Sequence, residues 1–184
     1  SSGMTSNTFD GMDVVAGGNA LHISGEEALG SANSLNISNS ILNSTNANKG
    51  IYIGGNIGSS TEYFSATSWN FTNVSYTFLN LSANCSTKCA INMFSWADAI
   101  ANYSNGSLIS GANVSAYPVS GGASFSVLTG SNGRIARQSV LEYNITRINT
   151  TSSTKYYSNY TFNSSVDGSQ NLTQSWNMST SRDL

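Results

Sequence analysis

The residues that could do chemistry in this chain are few and widely spaced. The single histidine, His22, lies in the segment ALHIS between apolar neighbours, which is typical of a structural histidine on a strand rather than of a general base. Glu26 and Glu27 are adjacent in GEEALG and would point in different directions, whereas glycoside hydrolysis needs two carboxylates held at a defined separation. Asp10 and Asp13 in DGMD lack the spaced oxygen ligands of a calcium loop. We therefore predict a chain that is not an enzyme and that has no catalytic residue, metal site or cofactor apart from covalent glycans.

The two cysteines, Cys85 and Cys89, are separated by three residues. In a secreted chain this spacing favours a local disulfide that closes a small loop. Zinc binding with His22 as a third ligand is the alternative, although a closed zinc site needs four ligands. We predict the disulfide and expect it to fix a turn rather than to hold the fold together.

The chain contains 15 sequons of the form Asn-X-Ser/Thr, where chance pairing of its 24 Asn with its 51 Ser and Thr would give about seven. This excess predicts N-glycosylation of a translocated, extracellular or cell-surface protein. Accidental sequons in a polar β-protein are the alternative. The predicted glycosylation sites are Asn36, Asn43, Asn70, Asn73, Asn80, Asn84, Asn102, Asn105, Asn113, Asn144, Asn149, Asn159, Asn163, Asn171 and Asn177.

The middle residue of a sequon is apolar in 11 of the 15 cases, among them Ile37, Phe71, Tyr103 and Tyr160. Successive side chains of a strand point to opposite faces. We therefore expect Asn and Ser/Thr of each such sequon to face outward while the middle residue faces a core.

The composition narrows the classes of partner. Seven Lys and Arg against nine Asp and Glu give a net charge of −2, which is not the cationic surface of a nucleic-acid binder. No apolar run approaches the roughly 20 residues of a membrane-spanning helix. The hydrophobic content of 39% is enough for a folded core. Charged residues are only 9% of the chain, which suggests acidic surroundings in which carboxylates are largely protonated.

Alternating apolar residues predict five strands in the C-terminal part, from Ala112 to Met178, and an antiparallel β-sandwich. Asn132-Gly133 in the turn TGSNGR supplies the positive φ of a hairpin. Tyr156, Tyr157, Tyr160 and Trp176 would form a carbohydrate platform if exposed, but their alternation favours a core. The only helix-like spacing is in FSWADAIA, residues 94–101.

This C-terminal part resembles the carboxypeptidase regulatory-like modules of cell-surface proteins. The resemblance lies in NGSLISGANVSAY, TGSNGRI and the final SWNMS. It implies a rigid spacer or interaction unit and no catalytic residues.

In the N-terminal part, LNISNSI and WNFTNVS align at an offset of 34, and GIYIGG follows the first as CAINMF follows the second. Such repeats resemble the coils of a right-handed parallel β-helix in archaeal and bacterial surface proteins. The resemblance implies a buried ladder of Asn39 and Asn73, so that Asn73 would carry no sugar. A plain sandwich is the alternative.

These observations predict an all-β fold with an N-terminal β domain in residues 1–100, β-helix-like or a sandwich, and a C-terminal antiparallel β-sandwich in residues 101–184. The favoured function is a structural subunit of an archaeal-type, N-glycosylated extracellular filament, thread or surface layer. Its partners would be copies of itself, joined when the first ~20 residues donate a strand to a neighbour, and surface carbohydrate. An adhesin or binding module of a larger surface glycoprotein is the alternative, and a polysaccharide-cleaving β-helix enzyme is the least favoured.

Overall fold

The computed structural model describes residues 6–23, 34–54, 63–64, 67–119, 121–167, 169–177 and 182–183. Every regular element in these residues is a β-strand, so the predicted all-β fold class is confirmed. Across the same residues no helix is long and apolar enough to cross a bilayer.

The first eight strands are β1 Ser6–Asp10, β2 Asp13–Ala16, β3 Leu21–Ile23, β4 Ser34–Ser44, β5 Ile51–Ile53, β6 Tyr63–Phe64, β7 Ser68–Tyr76 and β8 Leu79–Leu81. The other eight are β9 Asn84–Asp98, β10 Asn113–Tyr117, β11 Phe125–Leu128, β12 Gln138–Asn149, β13 Thr151–Tyr156, β14 Tyr160–Val166, β15 Ser169–Trp176 and β16 Arg182–Asp183.

The chain divides into two compact units, each made of two segments. Unit 1 comprises Ser1–Met93 and Asn144–Lys155, and unit 2 comprises Phe94–Tyr143 and Tyr156–Leu184. These bounds differ from a division into residues 1–100 and 101–184, because the long strands β9 and β12 each contribute residues to both units.

Unit 1 is a stack of coils whose strands pair in parallel in two sheets. In the first sheet β1 and β2 pair with β4, and β4 pairs with β7. In the second sheet β3 pairs with β5, and β5 with β8. Leu35 lies opposite Trp69 and Asn36 opposite Asn70, which confirms the predicted offset of 34.

The predicted correspondence between GIYIGG and CAINMF in unit 1 is wrong. GIYIGG contributes β5, whose partner is β8, with Ile51 opposite Leu79. CAINMF instead lies in β9, in the first sheet. The offset is 28 in this part of the second sheet and 34 in the first, so no single period could align both.

Alternate residues of these strands supply the core of unit 1. Trp69 and Phe71 on β7 are buried, with Ile37 on β4 opposite Phe71. The rings of Phe64 and Trp69 meet edge to face with centroids 5.3 Å apart. Burying apolar side chains of this kind from neighbouring coils contributes about 2 kcal/mol for each.

Gly50 allows two coils to approach closely. A Cβ at this position would overlap the backbone of Phe78. Its carbonyl accepts hydrogen bonds from the amides of Ala20 and Leu21, at 2.8 and 3.1 Å. The position therefore requires a residue with no side chain.

The prediction of a helix-like segment at residues 94–101 is wrong. Its residues Phe94–Asp98 continue β9 as a strand. Met93, Ser95 and Ala97 are buried while their neighbours are half-buried. Burial therefore alternates with the two-residue period of a strand and not with the period of a helix.

Unit 2 contains an antiparallel sheet in the order β11-β10-β14-β15. Ala97 of β9, Val140 of β12 and Ala116 of β10 form a core cluster with Tyr160 and Phe162 of β14. Four of the five predicted C-terminal strands form this sheet. The fifth, with Leu141 and Tyr143, is β12. It lies between β9 and β13 in the sheet that also contains β1, β4 and β7.

The turn TGSNGR connects β11 to β12, which belong to different sheets. Gly133 has φ +68° and a Cβ there would come within 2.9 Å of the carbonyl oxygen of Ala101. The predicted positive φ is therefore confirmed, while the hairpin is wrong because the two flanking strands do not pair with each other.

Candidate functional site

The candidate catalytic side chains are dispersed. His22 is exposed on β3, and its ring meets that of Tyr52 edge to face at 5.0 Å. Asp13 is exposed on β2, and Glu26 and Glu27 lie outside the described residues. In the part of the chain that the structure describes, no three His, Cys, Asp or Glu side chains are grouped so that they could hold a metal ion.

Asp10 has a structural environment. Its Oδ1 accepts hydrogen bonds from Ser38 Oγ at 2.7 Å and from Asn39 Nδ2 at 2.8 Å. These bonds, that from Ser38 first, lower the pKa of the exposed carboxyl because they stabilise its charged form. The carboxylate thus joins the first strand of the stack to the next.

Glu142 on β12 is a half-buried carboxylate that the sequence analysis did not single out. The hydroxyl of Ser95 donates a hydrogen bond to its Oε1. Burial raises the pKa of Glu142, and the bond from Ser95 opposes this shift. The segment LEYN gives no signal for a buried acid, because the glutamate simply occupies one position of an alternating strand.

Two cavities in unit 2 adjoin one another between residues 99–102 and β14. Their volumes are about 60 and 200 Å³, and Ile100, Ala101 and Ser164 line both. Neither lining contains an acid, a base or a cysteine. The serine hydroxyls that line the cavities thus have no acid, base or cysteine beside them in these linings.

The cysteines form the predicted disulfide, Cys85–Cys89. Both side chains are fully buried in β9, and their Cα atoms are 5.9 Å apart, whereas four residues of straight strand span about 13 Å. The three residues between them, 86–88, are exposed. The bond therefore closes an outward bulge of β9.

Four asparagines form a chain of side-chain hydrogen bonds in unit 1, which we call the asparagine ladder: Asn36, Asn70, Asn92 and Asn144. Nδ2 of Asn70 donates to Oδ1 of Asn36 at 2.8 Å, and Nδ2 of Asn92 donates to Oδ1 of Asn70 at 2.7 Å. Nδ2 of Asn144 donates in turn to Oδ1 of Asn92 at 2.5 Å. All four are half-buried. Amide groups stacked in this way satisfy one another across successive strands.

The repeat of 34 residues accounts for only one step of the ladder. Asn36 and Asn70 lie opposite each other at that offset, but Asn92 and Asn144 follow after 22 and 52 residues. Sequence periodicity therefore missed them, since β9 and β12 belong to no common repeat.

Residues with left-handed backbone conformation lie at the bend between β1 and β2 and at the equivalent points of β4 and β7. Gly11, Asn39 and Asn73 have φ of +68°, +48° and +54°, values that glycine and asparagine tolerate best. Nδ2 of Asn73 donates to Oδ1 of Asn39 at 3.1 Å. The predicted pair is present, but both side chains are exposed, so its predicted burial is wrong.

The predicted glycosylation sites differ in exposure. Six are exposed: Asn73, Asn102, Asn105, Asn149, Asn159 and Asn177. Eight are half-buried: Asn36, Asn43, Asn70, Asn80, Asn84, Asn113, Asn144 and Asn163. The side chain of Asn171 lies outside the described residues.

The middle residues of several sequons face a core as expected. Ile37, Phe71, Cys85, Val114 and Tyr160 are at most 4% exposed. By contrast, the middle residue Tyr103 is 54% exposed. It lies outside the regular strands, so no strand alternation directs its side chain toward a core.

The aromatic residues near the C-terminal strands do not form one platform. Tyr160 is buried, and its hydroxyl donates to the Leu141 carbonyl at 2.9 Å. Tyr157 and Trp176 pack partly buried against the same core. Tyr156 is 67% exposed, so the core interpretation is confirmed for the other three.

Comparison of the chain with protein-family models, with curated proteins and with solved structures finds no match.

Proposed function

We propose that this chain is a non-enzymatic structural subunit of an extracellular, N-glycosylated filament, thread or surface layer. The observation that carries the proposal is the exposure of six sequon asparagines distributed over both units. Glycans at these positions would supply the hydrated surface that a chain with only 9% charged residues lacks. The disulfide supports an oxidising, extracellular location.

The edge of the coil stack supports self-assembly. The strands β1 and β2 pair with β4 of their own chain, in parallel, and in the described residues no strand pairs with their outer edge. An open edge is a template for pairing with another chain. Because β4 of a second copy offers the same register, exchange of β1–β2 between subunits would preserve every strand pair.

Two measurements test the proposal. Intact mass before and after deglycosylation should show glycan on the native chain, and a mass that deglycosylation leaves unchanged would contradict the proposal. Negative-stain microscopy of native material should show long regular fibres or sheets. Isolated particles would instead favour the adhesin or binding module of a larger surface protein.

Strand exchange is tested separately by cross-linking. Asp13 lies opposite Ile41 in the β2–β4 register, and both are exposed. The double variant Asp13→Cys/Ile41→Cys should form disulfides between subunits in assembled material, visible as a ladder on a non-reducing gel. The variant with Asp13→Cys alone is the control, and a double variant that stays monomeric on the gel would show that β2 remains on its own chain.

A further inference from the structure

The hairpin of β12 and β13 contains two sequons that the fold treats in opposite ways. Asn144-Ile145-Thr146 lies within β12, and Asn149-Thr150-Thr151 spans the turn into β13. We infer that Asn149 is glycosylated and that Asn144, held in the asparagine ladder, remains unmodified although its sequon is complete. The inference rests on the proposed function, since it requires that the chain meets an N-glycosylating enzyme.

Both amide hydrogens of Asn144 are engaged. Nδ2 donates to Oδ1 of Asn92 at 2.5 Å and to the carbonyl oxygen of Ile91 at 3.3 Å. In N-glycosylation the amide nitrogen displaces a lipid-linked phosphate from C1 of the donor sugar and loses one proton. At Asn144 the lost hydrogen would have to be one of the two that hold this residue to β9.

The geometry leaves no space for the sugar carbon. An N–C bond of about 1.45 Å directed along either hydrogen bond would bring C1 to within about 1 to 2 Å of the acceptor oxygen. A non-bonded carbon and oxygen require more than 3 Å. Modification of Asn144 is therefore incompatible with the last step of the ladder.

The sequon hydroxyl is engaged as well. Oγ1 of Thr146 is hydrogen-bonded to Oγ of Ser153 at 2.8 Å, across the β12–β13 hairpin. An acceptor sequon must present its asparagine and its hydroxyl together. In the folded chain the asparagine of this sequon is held by Asn92 and its hydroxyl is paired with Ser153.

Asn149 has the opposite environment. It is exposed with φ +53°, and Thr151 is exposed too. Four residues separate the two asparagines, so both belong to one hairpin and reach the enzyme in one chain. The difference in modification therefore reports on the folded structure, and it implies that the sugar is transferred after β12 has joined β9.

The test uses the chain with its own glycosylation machinery and reads intact mass and glycopeptides. Thr151→Ala should lose one glycan, and Thr146→Ala should lose none, although each removes one sequon and leaves its asparagine in place. A glycan lost from Thr146→Ala, or none lost from Thr151→Ala, overturns the inference. A chain bare at every sequon overturns both the inference and the proposed function, whereas glycan on both asparagines overturns the inference alone.

A second pair of variants tests whether the ladder is the cause. Asn92→Ala removes the partner of Asn144 without removing a sequon and should add one glycan, at Asn144. Asn39→Gly likewise removes the partner of Asn73. It should add no glycan, because the sequon of Asn73 is already exposed. Because unfolding would also expose Asn144, an unchanged mass in Asn92→Ala overturns the inference whether or not that variant folds.

Discussion

Asn92 is the residue through which the asparagine ladder is most open to a quantitative test. Its Nδ2 donates to Ser68 Oγ at 3.0 Å and to Asn70 Oδ1 at 2.7 Å, and its Oδ1 accepts from Asn144 at 2.5 Å. Each such bond contributes about 1 kcal/mol net, so Asn92→Ala should lower the free energy of unfolding by about 3 kcal/mol. For a chain of this length the expected fall in Tm is about 6 to 12 °C.

The assay is urea unfolding of chain made in a host that adds no N-glycans, followed by tryptophan fluorescence. Trp69 is 1% exposed and belongs to unit 1, whereas Trp96 and Trp176 belong to unit 2. In a Trp96→Phe/Trp176→Phe background the signal therefore reports the unit that contains the ladder. The midpoint should fall while the slope stays unchanged.

Asn39→Gly is the matched control. It removes two amide hydrogen bonds, retains the positive φ, and lies on the surface, where water replaces the lost bonds. Its cost should be at most about 1 kcal/mol. If Asn92→Ala costs no more than this control, the ladder does not stabilise unit 1 and the reasoning from its half-burial is wrong.

Three further outcomes are expected. Because burial raises the pKa of Glu142, its ionised form costs stability as pH rises through the native pKa; Glu142→Gln should therefore raise the urea midpoint at about pH 7 and leave it unchanged at about pH 3. Gly50→Ala should lower the free energy of unfolding by about 1 to 3 kcal/mol through overlap with the backbone of the next coil, whereas Gly17→Ala, with open space around it, should stay within about 0.5 kcal/mol. Reducing Cys85–Cys89 should cost about 2 kcal/mol, because the loop is short; calorimetry that shows complete loss of the folded state would contradict this.

Strand type could be predicted from sequence where burial alternates locally. Ile37 and Phe71 face the core because each lies between polar neighbours on a regular strand, and their offset of 34 sets the register of β4 on β7. Alternation did not predict the exposure at position 103, which lies outside the strands. At residues 94–101 an apparent helical spacing was misleading, although burial alternates there as far as Asp98.

Local alternation could not predict hydrogen-bond partners that are far apart in the sequence. Asn144 meets Asn92 across 52 positions, and Glu142 meets Ser95 across 47. Neither separation matches the repeat of 34 residues, and the pairing of β9 with β12 brings these side chains together. The candidate glycosylation sites could be named from the sequence, but their exposure depends on these pairings.

The asparagine ladder also determines how the chain responds to its solvent. Carboxamide groups neither gain nor lose a proton over the range in which proteins fold, and dissolved salt does not screen bonds between uncharged groups. By contrast, the ion pair of Arg137 with Asp98 involves an arginine side chain that is 58% exposed and weakens in brine. The bonds of the ladder thus keep the same strength in acid, neutral or saline water, whereas the bonds that Asp10 accepts from Ser38 and Asn39 depend on the ionisation of its carboxyl.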